Sequence, residues 1–442
     1  MKNTAIVPIT IVVMSLSTLA CQASREATAT KVTQEVEEAQ PRSTAESDPP
    51  PLQMTALSFE QWIERFKDQA VAQGVSRATV DRAFQGVSLN SRVIELNQRQ
   101  PEFTRPIWEY LDGAVSSRRI RQGQGLLNQH RQLLARISRQ YQVDPRYLVA
   151  IWGLESDFGR VFGGFDVIEA LATLAYQGRR QEFGREQLLA ALRIVDRGDI
   201  PADQMVGSWA GAMGHTQFIP TTFLSYAVDF DGDGRRDLWH SIADALASTA
   251  NYLSRAGWRE NLPWGYEVSL PVDFDWDLSD ADVRRPLRRW QHYGVRLPGG
   301  QPLPELEAQA ALIAPAGHRG PAFLVTDNFR AILRYNNATS YALAVGHLGD
   351  RLGGAGPFTA SWPTSLEPLS RSDKRELQRL LSIRGYDPGG VDGIIGPRTR
   401  AAVKRYQKEI KQPNDGYPTQ ELLNRLREPH DRKPLDAVQH NP

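Results

Sequence analysis

The stretch Asp144–Gly159 reads DPRYLVAIWGLESDFG. Asp144 is a good N-cap, because its carboxylate can accept a backbone N–H of the first turn, and Pro145 suits the first helical position. Leu148, Ile151 and Trp152 recur at helical spacing and define one apolar stripe. The next position on that stripe, seven residues after Leu148, is Glu155. Gly159 is expected to stop the helix. A carboxylate therefore stands in the last helical turn where the pattern asks for a hydrophobe. Desolvation beside Trp152 and the negative end of the helix dipole both raise its pKa. A carboxyl kept protonated near neutral pH is what a general acid needs. A salt-bridged structural glutamate is the alternative reading of the same stripe.

Three further segments add chemistry. Gly207–Pro220, GSWAGAMGHTQFIP, sets Ser208, His215, Thr216 and Gln217 beside Trp209 and Phe218. Aromatic faces next to amides and hydroxyls suit sugar rings. Close helix packing is the plainer account of Ala210, Gly211 and Ala212, and His215 alone reads equally as a packed histidine. In Asp229–Asp237, the residues Asp229, Asp231 and Asp233 occupy the first, third and fifth places of an EF-hand loop, with Gly234 sixth. The carbonyl of Arg235 fits the seventh place. His240 stands at the twelfth, so Asp237 or Asp244 would have to close a longer loop around a structural calcium. An ion-free acidic turn is the alternative. Lastly, Arg334–Tyr341 concentrates Tyr335, Asn336, Asn337, Thr339, Ser340 and Tyr341 after a helical run, as the wall of a site would, with an ordinary polar surface as the alternative.

The whole chain has 442 residues, 52 Lys+Arg, 51 Asp+Glu and one cysteine. That length suggests two or three domains. A net charge of +1 argues against a nucleic-acid-coating protein. A single cysteine excludes an internal disulfide framework and any cysteine-cluster metal site. No HExxH, GxxxxGK[ST], GxSxG or dinucleotide glycine fingerprint occurs.

Residues 1–20 read as an export signal, with Lys2 ahead of a short apolar run. Thr18-Leu19-Ala20-Cys21 resembles a lipobox, so Cys21 is expected to be acylated and to anchor the chain in a membrane. Gln22 at the second mature position points to the outer membrane. An ordinary cleaved signal and a soluble periplasmic protein are the alternative. Residues 21–57, rich in Ala, Thr, Glu, Gln and Ser, read as a disordered tether. From Ser58 the pattern is helical: Phe59, Trp62, Ile63 and Phe66 share a face, and Ser58 with Gln61 forms a capping box. Ser76 opens a second helix. Between about 262 and 327 Pro and Gly multiply, and Tyr266–Pro271 and Ala322–Thr326 read as strands. Helical pattern returns at Asn328–Leu333 and Tyr341–Leu352. Residues 353–368 read as a linker, 369–428 as a compact unit, and 429–442 as a polar tail.

Together these segments resemble the lytic murein transglycosylase B family over about residues 58–352. The carrying motifs are Glu155–Gly159, Gly207–Pro220, the Asp229–Trp239 loop, Ala250–Tyr252 and Arg334–Asn336. The resemblance implies an α+β, mainly α fold: a lysozyme-like catalytic core with helical and small strand-rich subdomains. It makes Glu155 the sole catalytic acid/base. It implies that Ser208 holds the substrate acetamido group or orients the site, and that Gln217, Phe218, Tyr110, Tyr252, Tyr335, Asn336, Tyr341, Arg179 and Arg180 line the sugar cleft. Phe183 stands where the family pattern has a tyrosine. The family's calcium loop matches Asp229, Asp231 and Asp233, with one extra residue before Asp244. No organic cofactor is implied.

Residues 371–428 resemble a peptidoglycan-binding domain of the short three-helix type. Its marks are Leu377-Gln378, Gly385-Tyr386, Asp392-Gly393, Gly396, Thr399, Ala402-Val403 and Tyr406-Gln407. The span carries 13 Lys/Arg against 8 Asp/Glu, a basic bias suited to an anionic wall polymer. A degenerate module that no longer binds is the alternative, because the loop after Asp415-Gly416 is compressed.

The resemblance implies a non-hydrolytic glycan lyase that cuts the MurNAc–GlcNAc bond and leaves 1,6-anhydromuramic ends. A lysozyme-like muramidase, with a residue such as Asp157 positioning water, is the runner-up. A wall-binding lipoprotein without catalysis is the third reading. The implied partners are peptidoglycan strands, the membrane through the lipid anchor, and other cell-wall enzymes.

Overall fold

The computed structural model describes residues 57–98, 105–178 and 180–429. The signal, Cys21, nearly all of the tether, Arg179 and all but the first residue of the polar tail lie outside the described residues. Among the described residues, no helix is long and apolar enough to cross a membrane.

The helix opened by Asp144 runs Pro145–Ser156, and the Asp144 side chain accepts the Arg146 N–H as the sequence suggested. Its stripe is the centre of one core: Leu148, Ile151 and Trp152 are buried against Tyr341, Leu343, Ala344 and Leu348 of the helix Thr339–Leu352. Each such side chain contributes roughly 1.5–3 kcal/mol on burial. The helix stops earlier than Gly159 predicts. Asp157, Phe158 and Gly159 all take positive φ (51°, 62° and 83°), so the chain turns off directly after Ser156.

A second core is all helical. Phe59–Ala72 carries the expected Ser58–Gln61 capping box, and Ser76 caps Arg77–Ala83. Phe59, Ile63 and Phe66 pack there with Ile168, Leu171 and Leu188 from the helices Val167–Tyr176 and Gln181–Asp196.

The compositional change near 262 corresponds to an antiparallel sheet. Gly265–Val268 pairs with Ala322–Val325, which pairs with Gln309–Ile313, which pairs with Arg284–Pro286. One face is sealed by Trp290, Leu312 and Leu324. Helix Asp327–Tyr335 leads from the sheet back to the first core.

Residues 353–368 form no regular element but are not a loose spacer. Phe358 packs on Phe323 and on the His347 ring, Trp362 lies against Trp108, and the N–H groups of Thr359 and Ala360 donate to Glu267. Three helices follow, Arg371–Ile383, Pro397–Glu409 and Gln420–Arg427, around Leu377, Leu381, Val403, Tyr406 and Leu423.

The segment 207–219 departs from expectation. Ala210, Gly211 and Ala212 are not in a helix but in a tight loop, pinned by bridges from Met213 to Gly207 and to Phe218. Gly211 has φ 84°, and a Cβ there would sit 2.7 Å from Leu171 Cδ2. The small residues thus serve close packing of a loop on a helix.

Candidate active site

Glu155 sits in the last turn of Pro145–Ser156, half-buried, and its Oε1 accepts the Tyr341 hydroxyl at 2.6 Å. Desolvation raises its pKa to about 7, and the Tyr341 hydrogen bond opposes part of that rise. The carboxyl is therefore divided between its acid and base forms near neutrality. Tyr341 comes from the first turn of Thr339–Leu352, so the packing of two helices sets the contact.

Aromatic side chains stand around this pair. Tyr335 and Tyr341 stack with centroids 6.5 Å apart, and the Tyr335 hydroxyl donates to the Thr216 carbonyl at 2.5 Å. Phe218 lies 5.8 Å from Tyr335 and 5.9 Å from Tyr252, whose hydroxyl donates to the Arg334 carbonyl. Tyr110, on the helix Ile107–Ala114, is held neutral by burial and by the Glu155 charge. The phenols of Tyr335 and Tyr341 are raised for the same two reasons. Asn336 ends the helix Asp327–Tyr335, next to Tyr335.

The 207–219 loop supplies the other wall. Gln217 adopts φ 51°, and its Nε2 donates to the carbonyls of Gly214 and Phe162. Its Oε1 is buried with no hydrogen-bond partner among the described residues. An orphaned buried acceptor costs roughly 1–3 kcal/mol, which a polar ligand could recover. Ser208 Oγ accepts the Ala212 N–H at 3.0 Å and braces the loop. Arg180 lies over the Trp209 ring, at 5.9 Å.

His215 was ambiguous in sequence. Its Nδ1 accepts the Trp152 indole N–H at 2.9 Å, and burial lowers its pKa to about 4. It is a neutral strut under the Leu148–Trp152 stripe, and Ser156 Oγ donates to its carbonyl. Sequence reasoning missed Arg119, which is buried, donates to the carbonyls of Gly113 and Ala114, and lies 4.0 Å from Asp157. No periodicity distinguishes it from its exposed neighbour Arg118.

Asp157 is the nearest carboxylate to Glu155 in sequence. It is nearly buried and paired with Arg118, at 3.0 Å, and with Arg160. Hydrogen bonds from both arginines outweigh its desolvation and lower its pKa. A carboxylate held in this way is poorly suited to activating a water.

In the acidic loop, Asp229, Asp231 and Asp244 bring carboxylate oxygens within 4.8 Å of one another. Asp233 instead accepts the Arg235 N–H and pairs with its guanidinium, and Asp237 accepts the N–H groups of Trp239 and His240. Neither belongs to that group of converging carboxylates. Asp244, nominated only as a loop-closing residue, is fully buried and accepts the N–H groups of Phe230 and Asp237. Three carboxylates converging on one point form a hard-oxygen donor set that fits calcium.

The family model "Transglycosylase SLT domain" matches residues 58–350. The chain belongs to this transglycosylase family. A second model, "Putative peptidoglycan binding domain", matches residues 370–426. The SltB3 crystal structure from Pseudomonas aeruginosa in complex with NAG-anhNAM-pentapeptide is 56% identical. It covers 84% of this chain and 100% of that chain, with a TM-score of 0.83. The Escherichia coli lytic transglycosylase Slt35 in complex with calcium is 29% identical, covering 66% of this chain and 92% of that chain, with a TM-score of 0.57. Membrane-bound lytic murein transglycosylase B of Escherichia coli K12 is 34% identical over 237 residues, 52% of this chain and 63% of that relative. The match thus spans less than two thirds of that relative's length. The family resemblance drawn from the motifs and the lysozyme-like, mainly helical fold are both met.

Proposed function

We propose that the chain is a peptidoglycan lytic transglycosylase that cleaves the β-1,4 bond between N-acetylmuramic acid and N-acetylglucosamine without water. The observation that carries the reading is Glu155, poised near neutrality with Tyr341 at 2.6 Å, while the adjacent Asp157 is held by arginines. Protonated Glu155 gives its proton to the glycosidic oxygen, and the bond to the muramic anomeric carbon breaks. The Glu155 carboxylate then takes the proton of the muramic C6 hydroxyl, whose oxygen closes on that carbon. The product is a 1,6-anhydromuramic end, and Glu155 is again protonated. An internal nucleophile enjoys a large effective molarity, so exclusion of water is an advantage. A hydrolase would need a second carboxylate beside the water.

The aromatic walls of Tyr252, Tyr335, Tyr341 and Phe218 suit sugar faces, and the orphaned Gln217 Oε1 suits a substrate N–H or hydroxyl. Tyr110, Ser208, Asn336 and Arg180 complete the proposed wall, with Arg179. Asp229, Asp231 and Asp244 would hold calcium, which would fix the loop following the Gln217 wall; no proton passes through it. The three-helix unit would hold the enzyme on the wall. Cys21 would anchor it by a lipid to the periplasmic face of the outer membrane.

Mass spectrometry of digested sacculi tests the chemistry. Anhydro ends are expected from the wild type and none from Glu155→Gln; reducing ends would refute the lyase. Cys21→Ser should release the protein from membranes, and continued membrane fractionation would refute acylation.

A further inference from the structure

The three-helix unit contains one small device twice. In the first copy, Gln378 Nε2 donates to Asp392 Oδ1 at 3.0 Å, Gln378 Oε1 accepts the Gly393 N–H at 2.8 Å, and Asp392 Oδ1 accepts the Ile394 N–H at 2.8 Å. In the second, Gln407 Nε2 donates to Asp415 Oδ1, Gln407 Oε1 accepts the Gly416 N–H, and Asp415 Oδ1 accepts the Tyr417 N–H, all at 2.8 Å. The correspondence extends to the helices. Arg371, Arg375 and Gln378 have the same spacing as Arg400, Lys404 and Gln407. A Cβ on Gly393 would meet the Arg371 carbonyl at 2.9 Å, and one on Gly416 would meet the Arg400 carbonyl at 3.2 Å. Both glycines have positive φ, 77° and 74°.

The second clasp is occupied by the chain itself. Asp415 Oδ2 accepts the His318 N–H at 2.8 Å and contacts its ring Nδ1 at 2.6 Å, leaving the Asp415 side chain 3% exposed. Lys404 Nζ donates to the carbonyls of Trp276 and Ser279. The residue before His318 is Gly317, at φ 68°, and a Cβ on it would fall 2.5 Å from Asp415 Oδ2 and 2.8 Å from Tyr417 Cβ. The clasp therefore takes backbone from two segments: the His318 N–H sits on the aspartate with Gly317, of positive φ, beneath Tyr417, and the carbonyls of Trp276 and Ser279 sit on the basic side chain.

The first clasp has the same parts and faces solvent. Asp392 and Arg375 are exposed, and Ile394, which corresponds to Tyr417, is 57% exposed beside Val391 at 50%. We infer that this first clasp is the wall-recognition site of the unit, that its ligand is a short peptide carrying D-amino acids, and that the second clasp is given over to docking the unit on the strand-rich region. A D-residue adopts positive φ without the steric cost an L-residue bears. Peptidoglycan stem peptides contain such residues, and they offer amide N–H groups and carboxylates for Asp392 and Arg375. The inference deepens the wall-binding reading of this unit and rests on it.

The test uses the full chain carrying Glu155→Gln, so that sacculi are not digested. Arg375→Glu and Ile394→Asp change exposed side chains outside the Gln378–Asp392–Gly393 hydrogen bonds. Each should leave the melting temperature unchanged, weaken binding of a synthetic stem peptide at least about tenfold, and reduce co-sedimentation with sacculi. The all-L version of that peptide should bind at least about tenfold more weakly than the natural one. Undiminished peptide binding by both variants, with sacculi still bound, would overturn the first-clasp assignment alone. Equal binding of the all-L peptide would overturn the positive-φ argument. If neither peptide nor sacculi bind the parent chain, the wall-binding reading itself falls.

Discussion

Replacing Glu155 by Gln should make the folded chain more stable in alkali and leave it unchanged in acid. Burial lifts the Glu155 pKa from 4.5 to about 7. One pKa unit corresponds to about 1.4 kcal/mol, so the ionised carboxylate costs the folded state up to about 3 kcal/mol. The sign follows from the direction of the shift. A raised folded pKa means that the folded state holds its proton more tightly than the unfolded chain. The relative stability is intact below about pH 4.5, falls as pH rises, and is lost by about pH 7. Glutamine is isosteric and uncharged, and its carbonyl can still accept the Tyr341 hydroxyl. The variant therefore imitates the protonated enzyme at every pH. Urea unfolding of both proteins between about pH 4.5 and 9, followed by tryptophan fluorescence, measures the difference. It should be near zero at the acid end and reach about 3 kcal/mol in favour of the variant above about pH 8. A difference independent of pH, or a variant less stable in alkali, would refute the claim that desolvation tunes this carboxyl.

The same shift predicts that kcat/KM falls about tenfold per pH unit above about pH 7, because the first step needs the acid form; a rate still rising at about pH 9 would contradict it. Tyr341→Phe removes the donor to Glu155 at 2.6 Å. A hydrogen bond to a charged group contributes roughly 1.5–3 kcal/mol, so kcat should drop about 10- to 100-fold and the alkaline limb should move upward. An unmoved limb would show that the hydroxyl does not tune the acid. Gly159→Ala sets a Cβ 2.3 Å from the His215 ring in a left-handed residue. Overpacking and backbone strain should cost about 2–4 kcal/mol, read by thermal melting, and a loss under about 0.5 kcal/mol would count against the His215 strut. A calcium chelator should lower the melting temperature of the wild type and not that of Asp244→Asn. An equal response would count against the Asp229, Asp231 and Asp244 cluster as the site.

What was legible in the sequence was whatever a local pattern records. The Asp144 cap, the Leu148–Trp152 stripe and the misplaced carboxylate Glu155 all lie within one helix and share its period. The Ser58–Gln61 capping box is equally local. The Gly207–Pro220 loop was harder, because small residues serve helix packing and loop packing alike. Gly211 meeting Leu171 is a tertiary fact. The closing Asp244 was offered only as one of two candidates, since the extra residue upstream alters the loop's spacing. The docking of the three-helix unit left no readable signal. Asp415 is nearly a hundred residues from Gly317 and His318 in sequence, and they converge only once both regions have folded.

The exit from the helix Pro145–Ser156 joins the electrostatics to the backbone. Asp157 and Phe158 are non-glycine residues in the left-handed region, where an L-residue costs roughly 1–2 kcal/mol. That expense turns the chain sharply after Ser156 and keeps Glu155 in the last turn, facing Tyr341 from the neighbouring helix. The same turn places a second carboxylate two residues beyond the acid. On the proposed mechanism, an unpaired charge there would raise the Glu155 pKa above its present value of about 7 and weaken the acid needed in the first half of the reaction. The pairs from Asp157 to Arg118 and Arg160 remove that charge and tie down the strained turn. Arg118 and Arg160 are each 51% exposed, so they neutralise the nearly buried carboxylate without burying either guanidinium. The two ion pairs also hold the turn that follows Glu155, which accounts for two arginines, one on a neighbouring helix and one in the turn itself, meeting at a residue to which the proposed mechanism gives no step.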